Sequence, residues 1–90
     1  MDRILKILKA DLGIINSTAR DEYFLERLTA DEADLKGRGI VLNLSAPDDC
    51  LLLADYTAWV YRHRESGEPI PKHIELRLNN RKIKTRCNNG

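Results

Sequence analysis

The sequence predicts an all-α fold: a small four-helix bundle-like domain with an extended segment between helices 2 and 3. Three observations predict it. Four stretches carry apolar residues at helical spacing, with helix-start and helix-stop residues at their ends. The third of these, Cys50 to Tyr61, is apolar nearly all round and needs neighbours on several sides. The one run with strand propensity, Ile40-Val41-Leu42-Asn43-Leu44, has no hairpin partner of similar length nearby, and a lone strand is not a sheet.

The first helix is expected from about Asp2 to Leu12. Ile4, Leu5, Leu8 and Leu12 share one face, Asp2 suits the positive N-terminal end, and Gly13 is placed to terminate the helix. Ile14-Ile15-Asn16-Ser17 is a connector. Thr18 is the expected N-cap of the second helix, with Asp21 three residues on and Glu22 beside it. That helix runs to about Lys36 with Phe24, Leu28 and Leu35 on its main apolar face and Leu25 at the edge. Tyr23 and Ala30 lie on another side. Asp31, Glu32 and Asp34 form an acidic cluster near its C-terminal end, against the helix dipole. They are candidate acidic interface residues, or a solvated surface that tolerates the cost.

Gly37-Arg38-Gly39 breaks the second helix. The Ile40–Leu44 run is then expected as an extended segment, packed across the helices or paired with a neighbouring subunit. Ser45 is the expected N-cap of the third helix, Pro47 lies in its first turn, and Asp48 and Asp49 sit at the positive end. The helix continues to about Glu65, where Arg62, His63 and Arg64 suit a negative C-terminus, and Gly67 caps it. On this helix Leu52, Tyr56 and Trp59 occupy one side. It is either a central core helix or one that also builds an interface. Pro69 and Pro71 fix a stiff bend, and Pro71 opens the fourth helix, which turns Ile74 and Leu78 inward. Beyond Asn80 the pattern alternates, as Lys82-Ile83-Lys84-Thr85-Arg86, and residues 86–90 are expected to fray. The predicted core is Phe24, Leu28, Leu52, Tyr56, Trp59, Ile74 and Leu78, all within a single domain spanning 1–90.

Apolar content of 42% is ordinary for a globular chain. No apolar run approaches the ~18–20 residues that span a bilayer, so no membrane role is expected. The Met1–Lys9 stretch is an amphipathic helix, not a signal peptide. Two cysteines, Cys50 in an apolar run and Cys87 in a polar tail, do not make a disulfide framework and suit a reducing cytoplasm. The net charge of +1 is unevenly placed. Residues 1–60 carry 7 Lys/Arg and 11 Asp/Glu (−4), whereas residues 61–90 carry 8 and 3 (+5). Such polarity suits head-to-tail self-association, or an acidic protein partner plus nucleic acid.

No catalytic constellation emerges. His63 and His73 are ten residues apart, outside any zinc-binding pattern. Cys50, in Asp-Asp-Cys-Leu-Leu-Leu, reads as a small core residue. Gly37 and Gly39 lack both the third glycine and the strand-to-helix setting of a phosphate loop. No catalytic residue, metal or cofactor is expected. Arg77, Arg81, Lys82, Lys84 and Arg86 can reach phosphates, but no aromatic residue is interleaved for base stacking.

Asp55-Tyr56-Thr57-Ala58-Trp59-Val60-Tyr61-Arg62, then Arg64, Gly67, the Pro69-Ile70-Pro71 turn and Arg77-Leu78-Asn79-Asn80-Arg81 resemble the head–tail connector (head-completion adaptor) family of tailed bacteriophages. These residues cover the C-terminal half. In the N-terminal half, Leu8-Lys9-Ala10-Asp11-Leu12-Gly13-Ile14 resembles the family's opening helix, and the second helix ends in Gly39-Ile40 as theirs do. Ile70-Pro71-Lys72 departs from the family's methionine-containing turn, and the chain after Arg81 is unusually basic.

The resemblance implies a structural virion protein and not an enzyme. It implies a phage or prophage subunit made in the host bacterial cytoplasm, which assembles with itself as a ring, a dodecamer in the virion. The ring sits beneath the portal protein, extends the channel for non-specifically bound duplex DNA, and docks a further head-completion or tail protein. Arg77, Arg81, Lys82 and Lys84 are then candidate DNA-facing or subunit-interface residues, opposite an acidic patch of Asp31, Glu32 and Asp34. The alternative is a small helical DNA-binding or regulatory protein using the basic C-terminal third. Against it, the turn before the fourth helix carries two prolines and exceeds the 3–4 residues of a helix-turn-helix.

Overall fold

The computed structural model describes residues 1–14, 16–64 and 66–89. Four helices follow one another: α1 (Asp2–Leu12), α2 (Asp21–Gly37), α3 (Pro47–Arg62) and α4 (Lys72–Asn89). No strand occurs among the described residues. α3 packs against all three other helices, α1 also meets α2, and α4 meets no helix but α3 among the described residues. The molecule measures 43 × 30 × 19 Å. Its least dimension is about two helix diameters, so it is a two-layer slab. α3 is the shared element, and α4 lies at one margin with much of its circumference uncovered.

The central position of α3 explains its composition. Cys50, Leu52, Leu53, Ala54, Tyr56, Thr57 and Ala58 are all buried. Leu51 is the exception at 43% exposed. Phe24, Leu28 and Leu35 of α2, Ile4, Leu5 and Leu8 of α1, and Ile74 and Leu78 of α4 close around it. Trp59 departs from the expected core: it is half-buried at the margin, its ring stacked on His63 with centroids 4.7 Å apart. Phe24, also expected in the core, is 1% exposed and in edge-to-face contact with Tyr23 and Tyr61.

Two helix ends share one device. Gly13 has φ 77°; its N–H reaches the Ala10 carbonyl and the Ile14 N–H reaches Lys9. Gly39 has φ 87°; its N–H reaches Lys36 and the Ile40 N–H reaches Leu35. Both are Schellman terminations, in which glycine accepts the left-handed conformation and the next residue turns back onto the helix. Ile40 is buried and Ile14 partly so, supplying the apolar contact that completes the motif.

The N-termini differ from expectation. α2 starts at Asp21 with Arg20 at its cap; Thr18 contributes its backbone carbonyl to the Asp21 N–H, not its hydroxyl. α3 starts at Pro47 with Ala46 at its cap, because the Asn43 side chain takes the Ser45 N–H and pulls Ser45 into the preceding turn. α3 ends at Arg62 with His63 at its C-cap, and Gly67, at φ 67°, belongs to the following turn and does not cap α3. The expected end at Glu65 lies outside the described residues. α4 continues through Asn89, well past Asn80 and past the expected fraying at residue 86. Gly90 lies outside the described residues.

The Ile40–Asn43 stretch has no regular secondary structure and packs across the helices, and Leu44 enters a turn closed by the Ala46 N–H on the Asn43 carbonyl. Ile40 and Leu42 point into the core while Val41 is exposed. Its backbone polar groups are taken up by side chains of α3 and α4. The Thr85 hydroxyl accepts from the Val41 N–H at 3.3 Å and donates to the Arg81 carbonyl at 2.9 Å. The Asn43 N–H donates to Asp49 Oδ2 at 2.6 Å, and the Cys50 thiol donates to the Leu44 carbonyl. Thr85, buried in this arrangement, anchors the alternating Lys82–Arg86 stretch of α4 to the segment.

Candidate interaction surface

The basic residues of α4 divide by what they touch. Arg77 Nη1 lies 2.6 Å from Asp55 Oδ2, with both side chains about one-third exposed. Arg81 Nε lies 2.9 Å from Asp49 Oδ2, and these side chains are only 14% and 12% exposed. Asp49 thus joins α4 to α3 and, through Asn43, to the Ile40–Asn43 stretch. Arg81 is therefore a structural cation, and the expectation that it faces DNA or a neighbouring subunit is corrected. Lys82 is half-buried, its stem running beside Gly39. Lys84 is exposed, and with Asp48, Arg77 and Asn80 it rims a shallow cleft of about 330 Å³ between α3 and α4.

The acidic cluster of α2 also points elsewhere than expected. Asp31 is buried at 7% exposure, with Oδ1 3.7 Å from Arg27 Nη2. Burial pushes its carboxyl above the ordinary carboxylate range; Thr57 and Arg27 beside it offset part of that rise. Neither Asp31 Oδ2 nor Thr57 Oγ1 completes a hydrogen bond of regular geometry. Asp34 pairs with Arg38 at 3.2 Å and accepts weakly from the Tyr56 hydroxyl at 3.4 Å. Burial also raises the Tyr56 phenol. Glu32 is half-buried. Asp31 is thus no interface acid. Its desolvated carboxylate is a cost within the α2–α3 packing, and Asp34 is already engaged within its own chain.

What the sequence reading missed is the outward face of α4. At 100° per residue, Leu76, Asn80, Ile83 and Cys87 fall within about 60° of one another, opposite the inward Ile74, Leu78 and Thr85. All four are exposed, and Leu76 and Ile83 show 61% and 60% of their surface, more than any other large hydrophobic residue among the described ones. Lys72 and Arg86 flank this ridge on one side, Arg77 and Lys84 on the other. Leu76 and Ile83 are seven residues apart on the side of the helix away from Ile74 and Leu78, and that spacing was the available signal.

At the other end of α3 lies a smaller aromatic and basic groove. The Tyr61 hydroxyl accepts from Arg20 at 2.8 Å, and Arg64 lies over its ring at 4.6 Å. These cations are occupied with Tyr61 itself. Arg62 is likewise spent on the Asp11 carbonyl, tying α3 to the end of α1.

Among the described residues no group of three or more His, Cys, Asp or Glu is placed to hold a metal ion. Cys50 is fully buried, as its apolar setting predicts. No helix among the described residues is long and apolar enough to cross a membrane. Comparisons with protein-family models, with curated proteins and with solved structures gave no match to this chain.

Proposed function

We propose that this chain is a structural virion subunit that forms a ring beneath the portal of a tailed bacteriophage, joining head to tail and extending the DNA channel. It acts by assembly and not by catalysis. Its partners are copies of itself, the portal protein and a further head-completion or tail protein, with duplex DNA contacted through phosphates alone. The observation that carries this reading is the outward face of α4. A monomer gains nothing from presenting Leu76 and Ile83 at 61% and 60% exposure on one ridge. A subunit that must pack against neighbours does. The connector-like residues Asp55–Arg62 and Arg77–Arg81 add support from the sequence: they supply the Asp55–Arg77 ion pair between α3 and α4, and Arg81, which pairs with Asp49.

Two exposed apolar side chains are far less than the ~1,200–2,000 Å² of a stable pairwise interface. Each contact is therefore weak, and a template that concentrates subunits is needed to close a ring. Mass spectrometry of purified virions of the parent phage should find the chain at a fixed copy number. Disrupting its reading frame should leave DNA-filled heads without attached tails. Virions that lack the protein, with tail attachment unaffected by its loss, would overturn the proposal.

The second reading, a small DNA-binding regulator, draws on Lys72, Lys84 and Arg86, which are exposed and have no ion-pair partner among the described residues. It requires tight, sequence-selective duplex binding that survives moderate salt. The connector reading requires binding that is weak, indifferent to sequence and steeply weakened by salt.

A further inference from the structure

A groove runs between the end of α2, the Ile40–Asn43 stretch and α4, and its two halves differ in chemistry. One half, about 340 Å³, has Leu35, Ile40, Ile70 and Leu78 in its walls and Glu75 at its rim. The other, about 570 Å³, lies over Gly37 and Gly39 and is walled by Arg38, Lys82, Arg86 and the exposed Val41. Arg38 and Lys82 border both halves, so the groove is continuous. No acidic side chain lines the basic half. Arg38 pairs with Asp34, but neither Lys82 nor Arg86 has an ion-pair partner among the described residues. The negative end of α2 answers only about half a charge. Repulsion among these cations favours an anion between them. On α4, Glu75, Asn79, Lys82 and Arg86 form one stripe along the groove, within about 60° of one another, and Lys84 lies on the opposite side of the helix. From Glu75 to Arg86 the helix rises about 16 Å, the length of about five extended residues. Both halves are shallow and open, which suits a chain laid along the surface and not an enclosed small molecule.

We propose that this groove docks an extended acidic segment of a partner protein, with one apolar side chain over Ile40 and Ile70 and carboxylates at Lys82 and Arg86. Glu75 sets the polarity, because it repels acid from the apolar half and leaves the basic half to receive it. A nucleic acid fits less well. Its phosphates would leave the apolar half unfilled and meet Glu75, and no aromatic residue lines either half to stack a base. The chain's own adjacent acids, Asp21-Glu22, Asp31-Glu32 and Asp48-Asp49, all sit within helices, so the segment belongs to a different protein. The contact does not depend on the ring assembly proposed above.

The probe is a labelled, end-capped peptide of the length given above, a leucine followed by aspartates, together with the same peptide reversed. Fluorescence anisotropy with the full-length chain should show saturable binding of one of the two. Lys82→Gln and Arg86→Gln should each weaken it up to about fivefold, the scale of an exposed ion pair, and together by about tenfold. Lys84→Gln, on the opposite side of α4, should change it by less than about twofold, because its charge is screened at that distance. Serine in place of the leucine should weaken binding about tenfold. Circular dichroism confirms that each variant is folded. Without any variant, the peptide should shift the amide resonances of Gly39, Val41 and Lys82 in the wild-type chain. No saturable binding of either peptide below about 1 mM, equal losses in Lys84→Gln and Lys82→Gln, or a serine peptide that binds as well as the leucine one would overturn the proposal. So would a short DNA duplex that displaces the peptide, binds more tightly and depends on Lys82 and Arg86 in the same way, since the groove would then be a phosphate site. A chain that decorates portal rings but binds neither peptide would leave the connector reading standing and remove this one. A chain that binds the peptide and leaves portal rings bare would do the reverse.

Discussion

Replacing Arg81 by Gln should destabilise the fold far more than the same change at Lys84, although both are basic residues on one helix. Arg81→Gln removes the Nε contact at 2.9 Å to Asp49 Oδ2 and leaves that carboxylate only the Asn43 N–H. The side chains are 14% and 12% exposed. The pair therefore lies between a surface ion pair, worth ~0–1 kcal/mol, and a fully buried one, whose rupture costs ~3–5 kcal/mol. A loss of about 2 kcal/mol is expected, since a hydrogen bond to a charged group contributes ~1.5–3 kcal/mol. For a domain of this size that lowers Tm by ~8–16 °C. Lys84→Gln should stay within ~0.5 kcal/mol. Thermal and urea unfolding of Arg81→Gln, Asp49→Asn and the double variant measure the coupling, expected at about 1–2 kcal/mol. If Arg81→Gln costs no more than Lys84→Gln, or the coupling is near zero, the seam between α3 and α4 is not what holds the last helix.

Other expectations follow from particular residues. Leu53→Ala, at a fully buried position, should cost ~2–5 kcal/mol, whereas Leu76→Ala should leave stability nearly unchanged and weaken self-association. Gly13→Ala should cost about 1–2 kcal/mol from the left-handed backbone alone, because nothing lies within 4 Å to clash with the new methyl. Asp31 has a raised carboxyl pKa in the fold, so the folded chain binds this proton more tightly than the unfolded one. Its contribution to stability falls as pH rises from the ordinary carboxylate value through the raised one. Thermal melts of Asp31→Asn across that window should show the slope removed, with neutral-pH stability equal or higher; a drop at neutral pH would mean that the Arg27 contact outweighs desolvation. Trp59 emission should lie between the buried and water-exposed limits and should change in His63→Ala, which unstacks the ring.

Helix existence was legible wherever local chemistry decides it. Gly13 and Gly39, each followed by isoleucine, announce their terminations, and the all-round apolar α3 announces its central place. Helix starts were less legible, because Thr18 and Ser45 offer capping hydroxyls that the backbone turns do not use. The end of α4 was hidden by Thr85, a polar residue at an inward position whose hydroxyl serves Val41. That partner is forty-four residues away. Among the candidate interface charges, the engagement of Arg81 and Asp31 inside the fold was hidden for the same reason. Asp49 with Arg81 and Asp55 with Arg77 are pairs that only tertiary packing brings together. Asp31 looks like a surface acid until α3 is laid over it. Leu76 and Ile83 were readable in principle, but the inward Ile74 and Leu78 explain the helix so well that the second apolar spacing passed unremarked.

The central claim, assembly on a portal, is tested most directly by electron microscopy of portal rings incubated with this chain. The account predicts an added collar whose subunits repeat with the portal's rotational symmetry. Portal rings that remain bare at saturating concentrations of a folded chain would contradict it.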